Sequence, residues 1–254
     1  MIFTFLGTGT SQGVPVIGCQ CAICLSTDLR DQRLRTAALI TDGSTSVVID
    51  AGPDFRQQML RADVRRLDAV LLTHEHNDHI IGLDEVRPFN FRQQIDMPIF
   101  AHERVQKELR SRFAYAFLPS LYPGLPRFEQ HNIDKDTPFS VGNISVKPIE
   151  IMHGELPILG YRFGDLTYLT DVKTISATER KKIEGTKILV ISALHHRPHH
   201  SHLNLEEALQ MAAELASEQT YFTHFSHQMG SHAAMCAQMP PNVTFAYDGL
   251  QLEF

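Results

Sequence analysis

The chain has 254 residues, of which 43% are hydrophobic and 20% charged; these values are typical of a globular domain with its own core and exclude a disordered chain. The 23 Lys and Arg against 29 Asp and Glu give a net charge of −6, which argues against a broad nucleic-acid-binding surface because such a surface is basic. No apolar run approaches the ~20 residues of a membrane span, and the N-terminus lacks the basic start of a secretory signal, so we expect a cytoplasmic protein with a single domain over residues 1–254.

Short strands separated by loops dominate the predicted secondary structure, with a few helices between them. Alternating or continuous apolar residues predict strands over residues 2–6, 37–41, 46–49, 69–73, 98–101, 144–151, 161–163, 167–170, 188–192, 220–223, 243–247 and 250–254. Helical periodicity predicts helices over residues 55–62, 103–116, 177–183 and 205–217. The last is the best marked, because Asn204 is a suitable N-cap with Glu207 three positions later. The loop after the second helix contains Pro119, Pro123, Gly124 and Pro126, and we expect it to cover a site.

The segment Thr73-His74-Glu75-His76-Asn77-Asp78-His79 directly follows an apolar strand. Imidazoles and carboxylates are ligands of borderline metals such as zinc, manganese or iron. In an extended turn, His74 and His76 project to the same side and can share one ion. If the chain then enters a helix, Asp78 and His79 face a second position close by. The motif therefore predicts a site for two metal ions.

Further ligands are needed, because these four side chains cannot fill two coordination spheres. His153, Asp171 and His224 are candidates, since each follows an apolar strand. Taken singly, a His or Asp at a strand end is more often a cap or a surface group, but three of them form a constellation. Asp50 is a fourth acid at a strand end, and we expect it to orient a ligand without itself binding an ion.

These residues resemble the metallo-β-lactamase superfamily. The resemblance is carried by the Thr-His-x-His-x-Asp-His signature, by Ile49-Asp50-Ala51-Gly52 and by the three downstream candidates, in the same order and at similar spacing. It implies an α/β fold, an αβ/βα sandwich of two mixed β-sheets with outer helices, and a dinuclear site at one edge. It also implies a first ion held by His74, His76 and His153 and a second held by Asp78, His79 and His224, with Asp171 bridging both. Asp78 is then catalytic too, because it steadies the attacking water or accepts its proton.

Three cysteines lie within six positions, in Gly18-Cys19-Gln20-Cys21-Ala22-Ile23-Cys24. A disulfide framework does not suit a reducing compartment, and cysteines this close would form strained rings. Three thiolates on a tetrahedral zinc fit better, and a fourth ligand makes such a site structural. Cys236 and His227 are the candidates for that ligand; we favour His227, because it follows His224 by three residues. The other interpretation is three buried thiols that pack as small hydrophobic side chains.

The N-terminal segment narrows the resemblance. Leu6-Gly7-Thr8-Gly9-Thr10-Ser11-Gln12-Gly13-Val14-Pro15, the cysteine cluster and Thr223-His224-Phe225-Ser226-His227-Gln228 are similar to the phosphoribosyl cyclic phosphodiesterase (PhnP) family, over about residues 2–251. In that family three Cys and one His bind a structural zinc, which implies Cys19, Cys21, Cys24 and His227 here. The resemblance also implies that His200, one of five histidines over residues 195–202, is the general acid. His202 stands where the resemblance leads us to expect an acidic residue.

Together these features predict a metal-dependent hydrolase, a phosphoric diester hydrolase acting on a small cyclic ribose or nucleotide phosphodiester. A metal-bridging hydroxide attacks phosphorus while two divalent ions, zinc or manganese, neutralise the charge that develops on the phosphoryl oxygens; a separate zinc is structural. Asp78 and Asp171 favour the phosphodiesterase and glyoxalase branches of the superfamily, and the structural zinc favours the phosphodiesterases. The expected partner is the small phosphodiester, with no membrane and no nucleic acid; the sequence leaves a homodimer open.

The sequence leaves three other functions open. One is an RNA-processing endonuclease of the tRNase Z type, for which the insertion over residues 103–131 is the candidate clamp, with Glu103, Arg104, Lys107, Arg110, Arg112 and Arg127. Another is a thioester hydrolase of the glyoxalase II type. The third is a metal-bound accessory protein without hydrolytic activity, against which the complete ligand set argues.

Overall fold

A computed structural model of the chain describes residues 1–117 and 122–254. The strands are β1 (Ile2–Gly7), β2 (Ala37–Asp42), β3 (Thr45–Ile49), β4 (Ala69–Leu71), β5 (Met97–Ala101), β6 (Phe128–Asn132), β7 (Phe139–Val141), β8 (Ile144–His153), β9 (Leu156–Phe163), β10 (Leu166–Leu169), β11 (Ile188–Ser192), β12 (Gln219–Thr223), β13 (Val243–Phe245) and β14 (Gln251–Glu253). The α-helices are α1 (Phe55–Arg61), α2 (Asn77–Ile80), α3 (Arg87–Gln93), α4 (Glu103–Arg112), α5 (Ala114–Phe117), α6 (Ala177–Ile183), α7 (Leu205–Leu215) and α8 (His232–Cys236). Short 3₁₀ turns lie at Leu29–Asp31, Ile81–Val86 and His227–Met229.

Over the described residues the strands form two mixed sheets of seven strands each. The first has the order β14-β1-β2-β3-β4-β5-β6, and the second has the order β13-β12-β11-β10-β9-β8-β7. The pairs from β3 to β6 and from β10 to β13 are parallel, and the remaining pairs are antiparallel. Two mixed sheets with helices outside them confirm the predicted αβ/βα sandwich.

Three layers of buried apolar side chains hold the sheets and helices together. The central layer lies between the two sheets, where the ring of Phe3 on β1 is 5.7 Å from the ring of Tyr168 on β10, centroid to centroid. One outer layer packs α1, α3 and α4 on the first sheet, and the other packs α6, α7 and α8 on the second. Each of these six helices therefore buries apolar side chains against a sheet, and hydrophobic burial fixes the layers.

The carboxyl ends of parallel strands meet at one edge of the sandwich. Asp50 follows β3, residues 73–79 follow β4, Asp171 follows β10 and His224 follows β12. Two hydrogen bonds join the sheets here: the Tyr161 hydroxyl donates to the Leu72 carbonyl (2.6 Å), and the Leu159 amide donates to the Thr73 carbonyl (3.0 Å). The edge therefore brings residues from both sheets into one place.

Gly52 allows the strand-end turn after β3 to touch α2. A Cβ at Gly52 would lie 1.9 Å from the carbonyl oxygen of Asp78, so a larger residue would push α2 away. The Ala51 amide donates to the carbonyl of His79 at 2.7 Å. These contacts hold Asp78 and His79 at a fixed position relative to the turn.

Most predicted elements are found, and the differences have local causes. The Asn204 cap is confirmed, since its side chain accepts from the Glu207 amide while the Glu207 side chain accepts from the Asn204 amide. The predicted helix over residues 103–116 is interrupted at Phe113 and becomes α4 and α5. The sequence does not predict β6, β7, α2, α3 or α8, because these segments are short and lack a clear apolar period. Pro119 lies outside the described residues. In the part of the chain that is described, no helix is long and apolar enough to span a membrane.

Candidate metal centre

The loop after β4 brings the imidazoles of His74 and His76 together. The backbone stays extended at His76 (φ −64°, ψ 146°) before α2 begins at Asn77. As predicted, the two histidines project to one side: Nε2 of His74 and Nδ1 of His76 are 2.9 Å apart. Two nitrogen lone pairs at this distance repel each other unless a proton or a cation lies between them.

His153, at the end of β8, completes a group of three histidines. One ring nitrogen from each of His74, His76 and His153 lies within 4.8 Å of the others. The Nδ1–H of His74 donates to Thr73 Oγ1 (2.9 Å), and the Nδ1–H of His153 donates to the Ser201 carbonyl (3.0 Å). With Nδ1 as the donor, a neutral imidazole has its lone pair on Nε2, which is then the atom available to a metal ion.

Asp78, His79 and His224 form a second group, and Asp171 lies between the two groups. Nε2 of His79 is 3.3 Å from Oδ2 of Asp78 and 3.5 Å from Oδ2 of Asp171. Nε2 of His224 is 3.1 Å from Oδ1 of Asp171. Two atoms that each bind the same ion at about 2.0–2.2 Å lie roughly 2.8–3.6 Å apart, so these separations fit shared ions.

The buried polar atoms of the site also fit metal ions. Neither ring nitrogen of His224 has a hydrogen-bond partner, although both are buried, and buried polar groups are normally satisfied. Asp171 forms ligand-like groups with His74 and His79 on one side and with His153 on the other. The sequence-predicted residues are thus brought together in two sets that share one carboxylate. The fold implies divalent metal ions, and the donors present at this edge suit them.

Asp50 has no surface exposure and holds both halves of the motif. The Thr73 amide and hydroxyl donate to its carboxylate at 2.9 Å, and the same hydroxyl accepts from Nδ1 of His74. The Nδ1–H of His79 donates to Asp50 Oδ2 at 2.7 Å. Asp50 is therefore linked by hydrogen bonds to one histidine of each group; that it orients them for metal binding stays a prediction.

Three strand-end residues of the site have a left-handed backbone. The φ angles are 64° at Asp50, 56° at Asp171 and 56° at His224. Residues other than glycine rarely adopt this region, and it costs roughly 1–2 kcal/mol per residue. Such strain is concentrated at functional sites, where surrounding contacts hold it in place.

The charge states of His74, His224 and Asp171 suit metal binding. Burial lowers the pKa of His74 and of His224, so both imidazoles are neutral. Burial opposes ionisation of Asp171, but His224 and His79 outweigh it and hold the pKa of its carboxyl well below the usual range. Burial also disfavours the charged form of His79, yet Asp171 and Asp50 raise its pKa well above the usual value. Neutral imidazoles and ionised carboxylates are the ligand forms, and the carboxylates favour a positive charge between them.

His202 belongs to the site, although the sequence does not predict a role for it. Its ring stacks on that of His224 with centroids 5.0 Å apart, and its Nδ1 is 3.7 Å from Asp171 Oδ1. Burial, with His224 as the next cause, lowers the pKa of His202 to about 2. His200 is exposed and lines the larger of the two clefts beside the site, and its role as the general acid stays a prediction. One indication of His202 was present in the sequence: it stands where the family resemblance leads us to expect an acidic residue.

Two clefts open beside the ligand sets. One, of about 630 Å³, is lined by His76, His153, Glu155 and His200 among others. The other, of about 360 Å³, lies on the side of His202 and His224. A third pocket, of about 340 Å³ beside Phe55 and Phe89, is lined by none of the candidate ligands. The clefts give a substrate access to both ligand sets.

The cysteine cluster forms a separate site. Nδ1 of His227 is 3.4 Å from Sγ of Cys19, 3.3 Å from Sγ of Cys21 and 3.5 Å from Sγ of Cys24. Tetrahedral zinc with S and N ligands gives roughly 3.5 Å for these edges. The Cys24 amide donates to Cys21 Sγ and, as the largest cause, lowers the pKa of that thiol to about 6. Cys236 is elsewhere, next to His232, and all four cysteines are free.

Helix α4 supports the metal-binding loop from outside, which the sequence does not predict. Arg104 pairs with Glu75 at 2.8 Å. Arg112 donates to the Glu75 carbonyl (2.6 Å) and to Asn77 Oδ1 (2.7 Å). Both arginines therefore fix the loop between His74 and His79.

Comparisons with known proteins agree with this geometry. The family model described as a beta-lactamase superfamily domain matches residues 45–225. A Porphyromonas gingivalis protein named octanoyltransferase is 41% identical over 248 residues, which cover 97% of this chain and 50% of that protein. Coenzyme PQQ synthesis protein B of Methylobacterium nodulans is 34% identical over 96 residues, 32% of this chain and 32% of that protein. The chain thus spans half or less of the length of these relatives.

Solved structures resemble the whole chain. A structure described as a new diphosphatase from the PhnP family has a TM-score of 0.93 and 39% identity, and the match covers 100% of this chain and 96% of that chain. Zinc-bound PqqB from Methylobacterium extorquens has a TM-score of 0.82 at 18% identity, with 100% of both chains covered. Human tRNase Z, short form, has a TM-score of 0.73 at 17% identity, covering 100% and 99%. The last two show the fold alone.

We expect Asp50→Asn to weaken divalent-metal affinity by about 10–100-fold, because the amide disturbs the orientation of His74 and His79. The matched control is Asp63→Asn, an exposed aspartate with a similar left-handed backbone (φ 50°). Competition with a chromophoric chelator measures both affinities. Equal affinity in the two variants would show that Asp50 does not orient the ligands.

The cysteine site should retain zinc after a chelator has removed the exchangeable ions. Cys21→Ala should lose that zinc and unfold at a lower temperature, because a structural zinc contributes folding free energy. Cys236→Ala, which changes a cysteine outside the cluster, should keep it. Elemental analysis and thermal unfolding test this; zinc retained by Cys21→Ala, or lost by Cys236→Ala, contradicts the assignment.

Proposed function

We propose that this chain, which belongs to the beta-lactamase superfamily, is a dinuclear metal-dependent phosphodiesterase that hydrolyses a small phosphodiester. The proposal includes a separate structural zinc at the cysteine cluster. The chain has the fold of a metal-dependent hydrolase; the phosphodiester and the two ions are the proposed part. Zinc and manganese both suit the imidazole and carboxylate donors.

The observation that carries the proposal is the position of Asp171. Its two carboxylate oxygens approach His79 and His224 at 3.5 and 3.1 Å, and it also groups with His74 and His153 of the other set. One carboxylate between two ligand sets is the arrangement needed to hold two ions close together. Two close ions are suited to phosphoryl transfer, because negative charge must be stabilised on both the attacking and the leaving oxygen.

When bound, the two ions lower the pKa of water and neutralise charge on the phosphoryl oxygens. Within this chain, Asp78 is the carboxylate of the group that solvent reaches, with 19% of its side chain exposed. Burial works against its ionisation, but the His79 imidazole lowers the pKa of Asp78 below its ordinary value, so the carboxylate stays ionised and can accept a hydrogen bond from water. His202 lines the smaller cleft and can donate a hydrogen bond to a departing oxygen.

The basic residues of the predicted RNA clamp form ion pairs and hydrogen bonds with other residues of the protein. Arg104 and Arg112 contact the metal-binding loop, Lys107 pairs with Glu103 at 2.8 Å, Arg110 donates to Gln130 and Arg127 pairs with Asp96. Among the described residues, no Lys or Arg lines either cleft. Since RNA binding depends on phosphate contacts by basic residues, both facts favour a small substrate.

A diphosphate bridge is the second candidate substrate, because the structure with 39% identity is described as a diphosphatase. Cleavage of a P–O–P bond makes the same demands on two ions as cleavage of a P–O–C bond. A thioester remains a further test compound. We do not assign transfer of an octanoyl group to this chain, because the match covers half of that relative.

A substrate panel with an Asp171 variant tests the proposal. The metal-loaded protein should hydrolyse bis(p-nitrophenyl) phosphate and a ribose or nucleotide cyclic phosphate, and hydrolyse an acyl-glutathione poorly. Asp171→Asn should lower both phosphodiesterase activities by at least about 10³-fold while the protein stays folded. Asp165→Asn, an exposed acid paired with Lys187, is the matched control. Preference for a dinucleoside diphosphate would favour the second candidate, and turnover of the thioester alone would refute the phosphodiesterase.

His202 and His200 can be separated by the leaving group. A general acid that protonates the leaving oxygen contributes typically ~10²–10⁴-fold, and a neutral imidazole such as His202 assists by donating a hydrogen bond; both effects are largest for a poor leaving group. His202→Ala should therefore slow hydrolysis of a ribose cyclic phosphate far more than that of the nitrophenyl diester, with His202→Asn partly active because it keeps an N–H. The predicted role of His200 as the general acid requires the same difference between the two substrates in His200→Ala. Loss of metal from His202→Ala would make it a ligand, and a leaving-group effect in His200→Ala would make His200 the donor.

A further inference from the structure

The hydroxyl of Thr170, directly after β10, contacts the carboxylate at which the two ligand sets meet. It donates to Oδ2 of Asp171 at 2.5 Å. A hydrogen bond from a hydroxyl to an ionised oxygen is roughly 2.5–2.7 Å long and about twice as strong as one between neutral groups. Thr170 has no exposed surface and Asp171 is 2% exposed, so water does not compete for this bond.

This hydrogen bond differs in kind from the other polar contacts of Asp171. Nε2 of His79 lies 3.5 Å from its Oδ2, whereas Nε2 of His224 and Nδ1 of His202 lie 3.1 and 3.7 Å from its Oδ1. Within the described ranges 1–117 and 122–254, Thr170 supplies the one hydroxyl that donates to this carboxylate. Thr170 is therefore placed to orient the carboxylate that the imidazoles surround.

The orientation of a carboxylate decides how it binds two ions. Asp171 forms ligand-like groups with His74 and His79 on one side and with His153 and His202 on the other. A carboxylate bridges two ions when each oxygen faces a different one, and a quarter turn of its plane directs both oxygens at the same ion. Such a turn would break the hydrogen bond from Thr170 to Oδ2.

The backbone at Asp171 is held by groups other than the Thr170 hydroxyl. The residue has a left-handed φ of 56°. The next amide, that of Val172, donates to Oγ of Ser192 at 3.1 Å, and the Val172 carbonyl accepts from the Leu203 amide at 3.0 Å. Removal of the hydroxyl should therefore release the carboxylate and leave the strand end in place.

We infer that Thr170 is a positioning residue, whose hydroxyl holds the Asp171 carboxylate in the orientation that bridges two ions. The inference rests on the proposed dinuclear function and deepens it by naming the group on which binding of the second ion depends. Without the hydroxyl the carboxylate can turn toward one ion, so that the other ion loses a ligand. Loss of a group that orients a ligand typically lowers metal affinity about 10–100-fold.

The test compares three variants by calorimetric titration with Mn²⁺, an ion that suits carboxylates better than thiolates. Thr170→Val removes the hydroxyl at nearly constant volume, and Thr170→Ser keeps it. Thr167→Val is the matched control, since Thr167 is equally buried on β10 and its hydroxyl shares a hydrogen bond with that of Thr186 (2.6 Å). The second Mn²⁺ should bind about 10–100-fold more weakly to Thr170→Val than to the wild type. Thr170→Ser and Thr167→Val should stay within about threefold of it.

Electron paramagnetic resonance reads out the bridge itself. Two Mn²⁺ ions that share a ligand are magnetically coupled, whereas separate ions give the hyperfine signal of isolated Mn²⁺. At two equivalents the wild type should show the coupled pair, and Thr170→Val should show isolated Mn²⁺. A purely structural role for Thr170 would lower the unfolding temperature without this spectral change.

The inference is overturned if Thr170→Val binds both ions like the wild type, if Thr170→Ser also loses the second ion, or if Thr167→Val shows the same loss. Should Thr170→Val fail to fold, Thr170→Ala and Thr170→Ser enter the same titration, because both lack the methyl group and they differ only in the hydroxyl; equal affinities would then overturn it. A wild type that binds one Mn²⁺ refutes the dinuclear centre and the inference together. Two bound ions without phosphodiester hydrolysis refute only the proposed function.

Discussion

The buried carboxylate of Asp50 is the group on which the geometry of the metal centre depends. It accepts hydrogen bonds from the Thr73 amide, the Thr73 hydroxyl and Nδ1 of His79. Burial of a charge without partners would be prohibitive, so these donors must stay in place. Because Thr73 in turn accepts from His74, one interaction network fixes a ring from each ligand set. The ligand nitrogens are therefore oriented before any ion binds.

Backbone strain and close packing surround this network. Asp50, Asp171 and His224 all hold a left-handed backbone at or just beyond the end of a strand. The contact of Gly52 with the backbone of Asp78 removes the space through which α2 could move. The energy that holds such strained positions comes from the three apolar layers of the sandwich, which bury most of the aliphatic and aromatic side chains. Packing in the apolar layers therefore offsets the free-energy cost of the left-handed backbone at the site.

The two ligand clusters differ in chemistry and in the part of the fold that they hold. Thiolates and one imidazole tie the N-terminal loop to the turn after β12, and this closed set of four suits a structural zinc. Imidazoles and carboxylates at the sheet edge suit exchangeable divalent ions and stay open to two clefts. Since His227 joins the first cluster and lines the smaller cleft, the cysteine cluster also shapes the wall of that cleft.

The sequence by itself determined the sandwich, the seven candidate ligands, Asp50 and the cysteine cluster, because ligand types at the ends of apolar strands are local patterns that one sequence displays. It did not predict β6 or the break at Phe113, where polar residues obscure the period. Only the tertiary structure decided that His202 rather than His200 faces Asp171, that Arg104 and Arg112 contact the loop between His74 and His79, and that no described Lys or Arg lines either cleft. Each of these depends on which segments distant in sequence meet at one sheet edge, and the spacing of residues along the chain does not record that.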